Sequence, residues 1–453
     1  MKSGINRRQF LGRSLVGAAA APVVVRTLGA EAATRPQPVS PNDRVQVGVI
    51  GVGARAHQLL QAAMVVPGVE IVGVCDAYAG RVARAIERTG GKAKDYGSYR
   101  DLLADKSIDA VIIATPDHWH KSQTIEALSA GKDVYLEKPM TLTIDEGPEM
   151  IAAAERSDRI LQIGSNGISS KLQQTARDII RSGKLGRITL IRASYDRNTD
   201  SGAWLYPIPP DADPKTVDWA AFLGPAPKRP FDLERFFRWR CYWDYSGGIS
   251  TDLFVHLMTT IHYVMDADMA DMVMATGENY LHPKTHEVPD TLNASATYPD
   301  KGFTVSLSAT FNNSSASESG FVILGTEGAL VFQGEQLTFR PEHPVEGNGW
   351  IVASWPSALE KVYWADPEVQ KREMPDTWPS QMQSASEAWR EVGPDSTEIH
   401  VARFFDSVRT RKPSVEDGRR GHHAAAVAHM VNESIKRKTP VFWDTSTNLL
   451  KKA

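Results

Sequence analysis

Three groups of residues in this 453-residue chain combine types and spacing that chemistry can use. Gly51-Val52-Gly53-Ala54-Arg55-Ala56 follows the apolar run Val45–Ile50 and opens a helical stretch. In a G-x-G-x-x-A pattern between strand and helix, the glycines allow a tight turn and close approach of backbone to a pyrophosphate. The helix start then offers unpaired N–H groups to the phosphates. Asp76, 25 residues after Gly51, ends the next apolar run, where a carboxylate accepts both hydroxyls of a ribose. That carboxylate repels a 2′-phosphate and favours NAD, while Arg55 and Arg81 keep NADP open. Lys138 follows the run Val134–Leu136, and ligands of doubly wound sheets bind beyond the carboxyl ends of strands. Asp252 and His256 are four apart on a predicted helix, so they share a face; an isolated pair of this kind is ordinarily a helix-surface contact.

Ten of the eleven tryptophans fall after residue 200, and Trp204, Trp219, Trp239 and Trp243 lie close together in sequence. Beside them stand Tyr206, Arg238, Arg240, Tyr242 and Tyr245. Each aromatic alone reads as core. As a cluster leading into Asp252 and His256, flat faces next to guanidiniums suit sugar rings and their hydroxyls. Arg238, Arg240 and Tyr242 are the substrate candidates, with Tyr195 and Arg197 behind them. Histidines 118, 120, 256, 282 and 286 match no compact ligand spacing, so no metal is expected.

The elements that must position these groups alternate at first. Apolar runs at 45–50, 69–75, 110–114, 134–136 and 160–163 are separated by helical stretches at 57–66, 80–89, 122–130 and 144–156. That order implies an α/β Rossmann domain with a parallel, doubly wound sheet over residues 43–165. After Asn166 comes one helix near 172–181, then β-rich segments at 187–195, 271–279, 291–298, 303–311, 320–324 and 329–333. Runs without a helix between every pair predict an α+β second domain, 166–453, built on a large, mostly antiparallel open sheet. Residues 340–395, rich in Pro, Trp and charge, read as an insertion of loops, and helices at 397–410 and 419–436 close the chain.

Residues 1–32 read as a twin-arginine signal peptide: Asn6-Arg7-Arg8-Gln9-Phe10-Leu11-Gly12, an uncharged run from Leu15 to Val25, and Ala30-Glu31-Ala32 as a cleavage site. The apolar run is 11 residues, short of the roughly 20 that span a bilayer. Residues 33–43 read as an extended arm. The expected location is therefore periplasmic, or otherwise exported by the twin-arginine route, with no membrane attachment afterwards. The chain carries −3, and the leader holds five basic residues and one acid, a surplus of four, so the remaining 421 residues carry −7. That balance argues against a nucleic-acid partner, which needs a basic face. Cys75 and Cys241 are expected to be free thiols, Cys75 at the end of an apolar strand.

Thr115-Pro116-Asp117-His118-Trp119-His120, Glu137-Lys138-Pro139 and Gly247-Gly248-Ile249-Ser250-Thr251-Asp252-Leu253-Phe254-Val255-His256, in this order, resemble the motifs of the Gfo/Idh/MocA oxidoreductases. This is the family of glucose–fructose oxidoreductase and inositol dehydrogenase, and the resemblance covers most of 43–330 and the closing helices. It implies cofactor contacts from Gly51, Gly53, Ala54, Arg55, Asp76, Thr115, Pro116, His118, Trp119, His120, Glu137, Lys138 and Asn166. It also implies a substrate site with Asp252 and His256, and a homo-oligomer, dimer or tetramer, formed through the second-domain sheet. Oxidising an alcohol needs a base for the hydroxyl proton while hydride leaves carbon. A histidine held by a carboxylate titrates near neutrality, and an ammonium beside the same oxygen stabilises an alkoxide. By resemblance His256 is the base, Asp252 its partner, and Lys138 the electrostatic and proton-relay group.

These readings converge on an exported oxidoreductase that keeps NAD (or NADP) tightly bound and moves hydride to and from a sugar, glycoside or polyol hydroxyl. An alternative within the same family is an NAD-dependent glycoside hydrolase working by transient oxidation and elimination. A non-catalytic Rossmann-containing sensor is a third, disfavoured by the intact Lys138, Asp252 and His256.

Overall fold

In a computed structural model of the chain, residues 24–29, 40, 44–315, 320–342, 347–373 and 386–451 are described. The first sheet holds six parallel strands: β2 (Val45–Ile50), β3 (Val69–Cys75), β4 (Lys94–Asp95), β5 (Ala110–Ile113), β6 (Asp133–Leu136) and β7 (Leu161–Ile163). Their order is β4-β3-β2-β5-β6-β7, so the direction of winding reverses between β2 and β5. β5, β6 and β7 are buried at every position, as strands covered on both faces must be. Helices Ala54–Met64 and Ala79–Arg88 cover one face, and Tyr99–Ala104, His120–Ser129 and Glu146–Ser157 cover the other.

The second sheet has eleven strands: β1 (Val24–Gly29), β8 (Ile188–Asp196), β9 (Met272–Glu278), β10 (Thr291–Tyr298), β11 (Phe303–Thr310), β12 (Gly320–Gly325), β13 (Gly328–Gln333), β14 (Gln336–Pro341), β15 (Glu387–Val392), β16 (Val441–Asp444) and β17 (Leu449–Leu450). Their order is β1-β15-β14-β13-β12-β8-β11-β10-β9-β16-β17. Every neighbouring pair is antiparallel except β8/β11 and β1/β15. Burial alternates along β10 and β11, so one face meets the core and the other does not. Helices Lys171–Arg181, Val255–Met265 and Gly418–Arg437 share that core.

Three expectations change. The 340–395 segment is not loop alone: it carries β15 and helices Gly349–Val352, Ser357–Ala365 and Pro367–Glu373. Its Trp and Pro content hid these short elements, of which β15 is held by pairing with β14 and β1. The helix Ser396–Thr410 lies in the second half of the sequence but packs on the first domain, where Val401, Phe404 and Phe405 join the core of Leu59, Leu60 and Tyr135. Finally, residues 24–29 of the expected leader form β1, the edge strand beside β15. The rest of the leader, and the arm apart from Ser40, lie outside the described residues. Cys75 and Cys241 are free and buried. Among the described residues no helix is long and apolar enough to cross a membrane.

Candidate active site

A cavity of about 580 Å³ opens at the carboxyl ends of β2, β3 and β5, where the winding reverses. This is where open α/β sheets bind ligands. Gly51 turns the chain at φ +80°, and a Cβ there would sit 2.8 Å from the Thr115 backbone nitrogen. Only glycine fits both the angle and the contact. Helix Ala54–Met64 starts at Gly53 with no side-chain cap and no acid in its first turn, so its N–H groups face the cavity unanswered. Asp76 is aimed by two backbone donors, Val52 N at 2.8 Å and Tyr78 N at 2.9 Å, with Arg81 3.7 Å away. A crowded glycine turn, free helix N–H groups and a buttressed carboxylate fit a dinucleotide. When bound, such a cofactor supplies the hydride acceptor or donor.

The roof of the cavity comes from the other domain. Residues 203–245 cross over the first domain as a strap, whose aromatic half forms its own core of Val217, Phe222, Leu223, Phe236, Phe237 and Tyr245 around Tyr78. Ala79 N donates to Thr216 O and Asp218 N to Ala77 O, pairing the strap with the chain after β3. Tyr78 Oη donates to Asp211 at 2.6 Å, and Arg81 lies over Phe236 and Phe237, 5.4 and 5.2 Å from the ring centres. His118 Nε2 and Trp119 Nε1 both donate to the Phe222 carbonyl, at 2.8 and 2.9 Å. Trp119 also fits against Gly224, where a Cβ would lie 1.9 Å from its ring.

Lys138 joins the two domains. Its ammonium donates to both the carbonyl and the carboxylate Oδ1 of Asp252, each at 2.9 Å. Arg240 Nε reaches the same Oδ1 at 3.0 Å, and Arg240 also lines the cavity. Burial works against the Asp252 carboxylate, but the two cations prevail and hold its pKa well below the usual range. The expected pairing of Asp252 with His256 is thus replaced: Asp252 serves Lys138 and Arg240. Residues Ser250–Phe254 form a turn of π-helix, which changes the register that a simple four-residue spacing assumed. The His256 ring makes no hydrogen bond among the described residues. Burial first, then the Lys138 ammonium, push it down to about 3 against the pull of Asp252. Its imidazole is therefore neutral at physiological pH and able to accept a proton. The expectation that it titrates near neutrality fails, because burial and the Lys138 ammonium outweigh the pull of Asp252.

Of the other candidates, Gly51, Gly53, Ala54, Arg55, Asp76, Thr115, Pro116 and Trp119 line the cavity. Arg55 is turned towards Glu137 at 2.7 Å and Gln58 at 2.7 Å. His118 and His120 are buried and do not line it. His120 spans the Thr115 and Pro139 carbonyls at 2.9 and 2.7 Å, tying together the loops after β5 and β6. Asn166 donates to Ser396 and Thr397 at the start of the docked helix. Arg238 holds the Tyr206 carbonyl and Glu234, Arg197 the Gly202 carbonyl, and Tyr242 lies under Arg235. Tyr195 is packed at the edge of the second core, within electrostatic reach of Asp252. Sequence reasoning passed over Phe222, Phe236 and Phe237, which build the roof, Tyr78, on which the roof packs, and Asp117, which is buried beside the ion cluster. The last stands inside a motif already singled out; the aromatics had no signal beyond their density.

Comparison with known proteins agrees with this geometry. Residues 45–165 match the family model described as "Oxidoreductase family, NAD-binding Rossmann fold", and residues 219–331 match "GFO/IDH/MocA C-terminal domain". An inositol 2-dehydrogenase of Salmonella paratyphi B is 33% identical over 153 residues, 33% of this chain and 46% of that protein. A glycosyl hydrolase family 109 protein of Shewanella baltica is 31% identical over 210 residues, 42% of this chain and 46% of that one. The chain thus spans about half the length of the curated relatives it matches. Among solved structures, a levoglucosan dehydrogenase in complex with NADH and levoglucosan shares the fold with TM-score 0.62 and 20% identity, over 88% of this chain and 99% of that one. The WlbA dehydrogenase of Bordetella pertussis, in complex with NADH and UDP-GlcNAcA, gives 0.63 and 18%, over 88% and 98%.

Proposed function

The chain belongs to the GFO/IDH/MocA oxidoreductase family, and on that premise we propose that it moves hydride between NAD and a hydroxyl-bearing carbon of a sugar, glycoside or polyol. The observation that carries the reading is the Lys138–Asp252 contact. It brings a group from the end of a nucleotide-domain strand against the second-domain motif, behind the cavity wall, to which it is linked through Arg240. In this reading Lys138, aimed by Asp252, holds the substrate hydroxyl oxygen and stabilises it as it loses its proton. His256, neutral and unpaired, takes that proton. Aromatic and guanidinium groups from Tyr206, Trp239 and Arg240 in the cavity wall face the sugar ring.

The strap supports a further element of the proposal, that the dinucleotide stays bound through many turnovers while one sugar is oxidised and another reduced. Such a closed cycle suits an enzyme exported by the twin-arginine route, where no free dinucleotide pool is expected. Arg7-Arg8 and the Ala30–Ala32 site support export, and pairing through the open sheet face would make a homo-oligomer. Denaturing the purified protein and identifying the released nucleotide by mass tests the cofactor reading. Formation of keto-sugar or lactone with no added nucleotide tests the cycle; strict dependence on added NAD counts against it. Fractionation of cells carrying Arg7→Lys/Arg8→Lys tests export.

The match to a glycosyl hydrolase family 109 protein favours a second reading, hydrolysis by transient oxidation, elimination, water addition and reduction. Release of nitrophenol from synthetic glycosides without net change in NAD would support it.

A further inference from the structure

Asp117 opens the short turn Asp117–Trp119 between Pro116 and the helix His120–Ser129. It is 2% exposed, and its Oδ2 has no hydrogen-bond partner. A buried carboxylate with an unanswered oxygen is expensive unless it is neutralised or paired. Four elements present polar or charged groups to it: Lys138 from the loop after β6, Arg240 from the turn Trp239–Cys241, Asp252 from the π-helical turn, and the Ser246 hydroxyl. On its own turn, His118 is engaged with Phe222. Lys138 and Arg240 both bind the Asp252 oxygen, so Asp117 faces a cluster of two cations and one anion without a direct ion pair of its own.

We propose that Asp117 is a positioning residue that sets the charge of the Lys138–Arg240–Asp252 cluster. As a neutral acid it leaves the cluster at +1, and as a carboxylate it cancels that charge. The proposal rests on the hydride-transfer reading, because the +1 state is the one that stabilises an alkoxide as the hydroxyl proton passes to His256. Burial, reinforced by the Asp252 anion, pushes the Asp117 carboxyl up to about 8, against the pull of Arg240, Lys138 and the Ser246 hydroxyl. Asp117 neither donates nor accepts a proton in the step itself; its state decides how well the neighbouring cations serve the oxyanion.

The test is the pH profile of kcat/KM for sugar oxidation by the holoenzyme, with infrared titration of the same protein. The wild type should lose activity through one ionisation near pH 8. Asp117→Asn, fixed in the neutral form, should lack that limb, and Asp117→Glu should keep a displaced one. An unchanged limb in Asp117→Asn overturns the proposal. A protonated-carboxyl band that disappears between about pH 7 and pH 9 in the wild type, and is absent from Asp117→Asn, supports it. Absence of any such band in the wild type overturns it even where a variant does not fold. The infrared measurement is independent of turnover: a titrating band with no sugar oxidation under any condition counts against the hydride-transfer reading and leaves the charge state of Asp117 established.

Discussion

Gly224→Ala is the sharpest probe of the strap. Gly224 ends the helix Trp219–Leu223 at φ +46°, ψ −114°, a conformation that side chains resist. A methyl there would lie 1.9 Å from Trp119 Cζ2 and 2.5 Å from two more ring atoms, so either the indole or the strap must move. Overpacking of this kind costs about 1–3 kcal/mol, and the backbone conformation adds about 1–3 kcal/mol. The Trp119 bond to the Phe222 carbonyl is lost with the displacement. Taking the low end of the sum, the closed strap weakens by about 2 kcal/mol relative to the open one. If the dinucleotide leaves only through the open state, its dissociation quickens about 30-fold, since 1.4 kcal/mol is a factor of ten. The assay is the fluorescence of bound reduced nucleotide after a chase with excess competitor, alongside limited proteolysis to register loosening of 203–245. Dissociation within about threefold of wild type, in a protein whose strap has become protease-sensitive, would refute the idea that the strap retains the cofactor.

Lys138→Met should lower kcat/KM by about 10²–10³, the usual effect of losing one oxyanion donor, while leaving nucleotide bound; turnover at the wild-type level removes Lys138 from the chemistry. The same change leaves the buried Asp252 with Arg240 alone, so a lowered Tm should accompany it. Asp76→Asn keeps an acceptor for only one of the Val52 and Tyr78 amides and removes the charge, so affinity for NAD should fall and affinity for NADP rise relative to it; equilibrium titration with both nucleotides decides it. Acidification should destabilise the fold between about pH 6.5 and pH 4. Burial lowers His118, His400, His422 and His429 to about 4, so over that window the unfolded chain binds more protons and stability falls with pH. Each contributes up to about 1.4 kcal/mol per pH unit. Asp117 and Glu416, whose pKa values are raised by burial, act in the opposite sense but are outnumbered. Denaturant unfolding at pH 7, 6 and 5 checks the sign, and constant or rising stability would contradict it.

Much of this molecule is legible from local pattern alone. The parallel strands follow from apolar runs spaced by helices, the turn at Gly51 from a glycine where the backbone needs positive φ, and the antiparallel segments from alternation. β10 spans Thr291–Tyr298, the same eight residues that alternation predicts. Periodicity and turn chemistry are properties of neighbours in sequence, so the chain carries them openly. The strands β14 and β15 are different: their own sequences do not announce them, and they are held by pairing, β14 on the edge of β13 and β15 between β14 and β1. The docking of helix Ser396–Thr410 across the first domain has the same character.

The candidate site divides in the same way. The sequence determined which residues can do chemistry, because the glycine loop, Asp76, Lys138, Asp252 and His256 stand in motifs whose spacing is local. Only tertiary structure decided who partners whom. Asp252 belongs to Lys138, 114 residues away, and not to His256 four residues on, because a buried carboxylate is stabilised by the cations that surround it in space. The same surroundings push the His256 pKa down and the Asp117 pKa up, and they turn a stretch of aromatic residues into a roof over the cavity. Charge and burial act across folded distances, and no spacing along the chain encodes them.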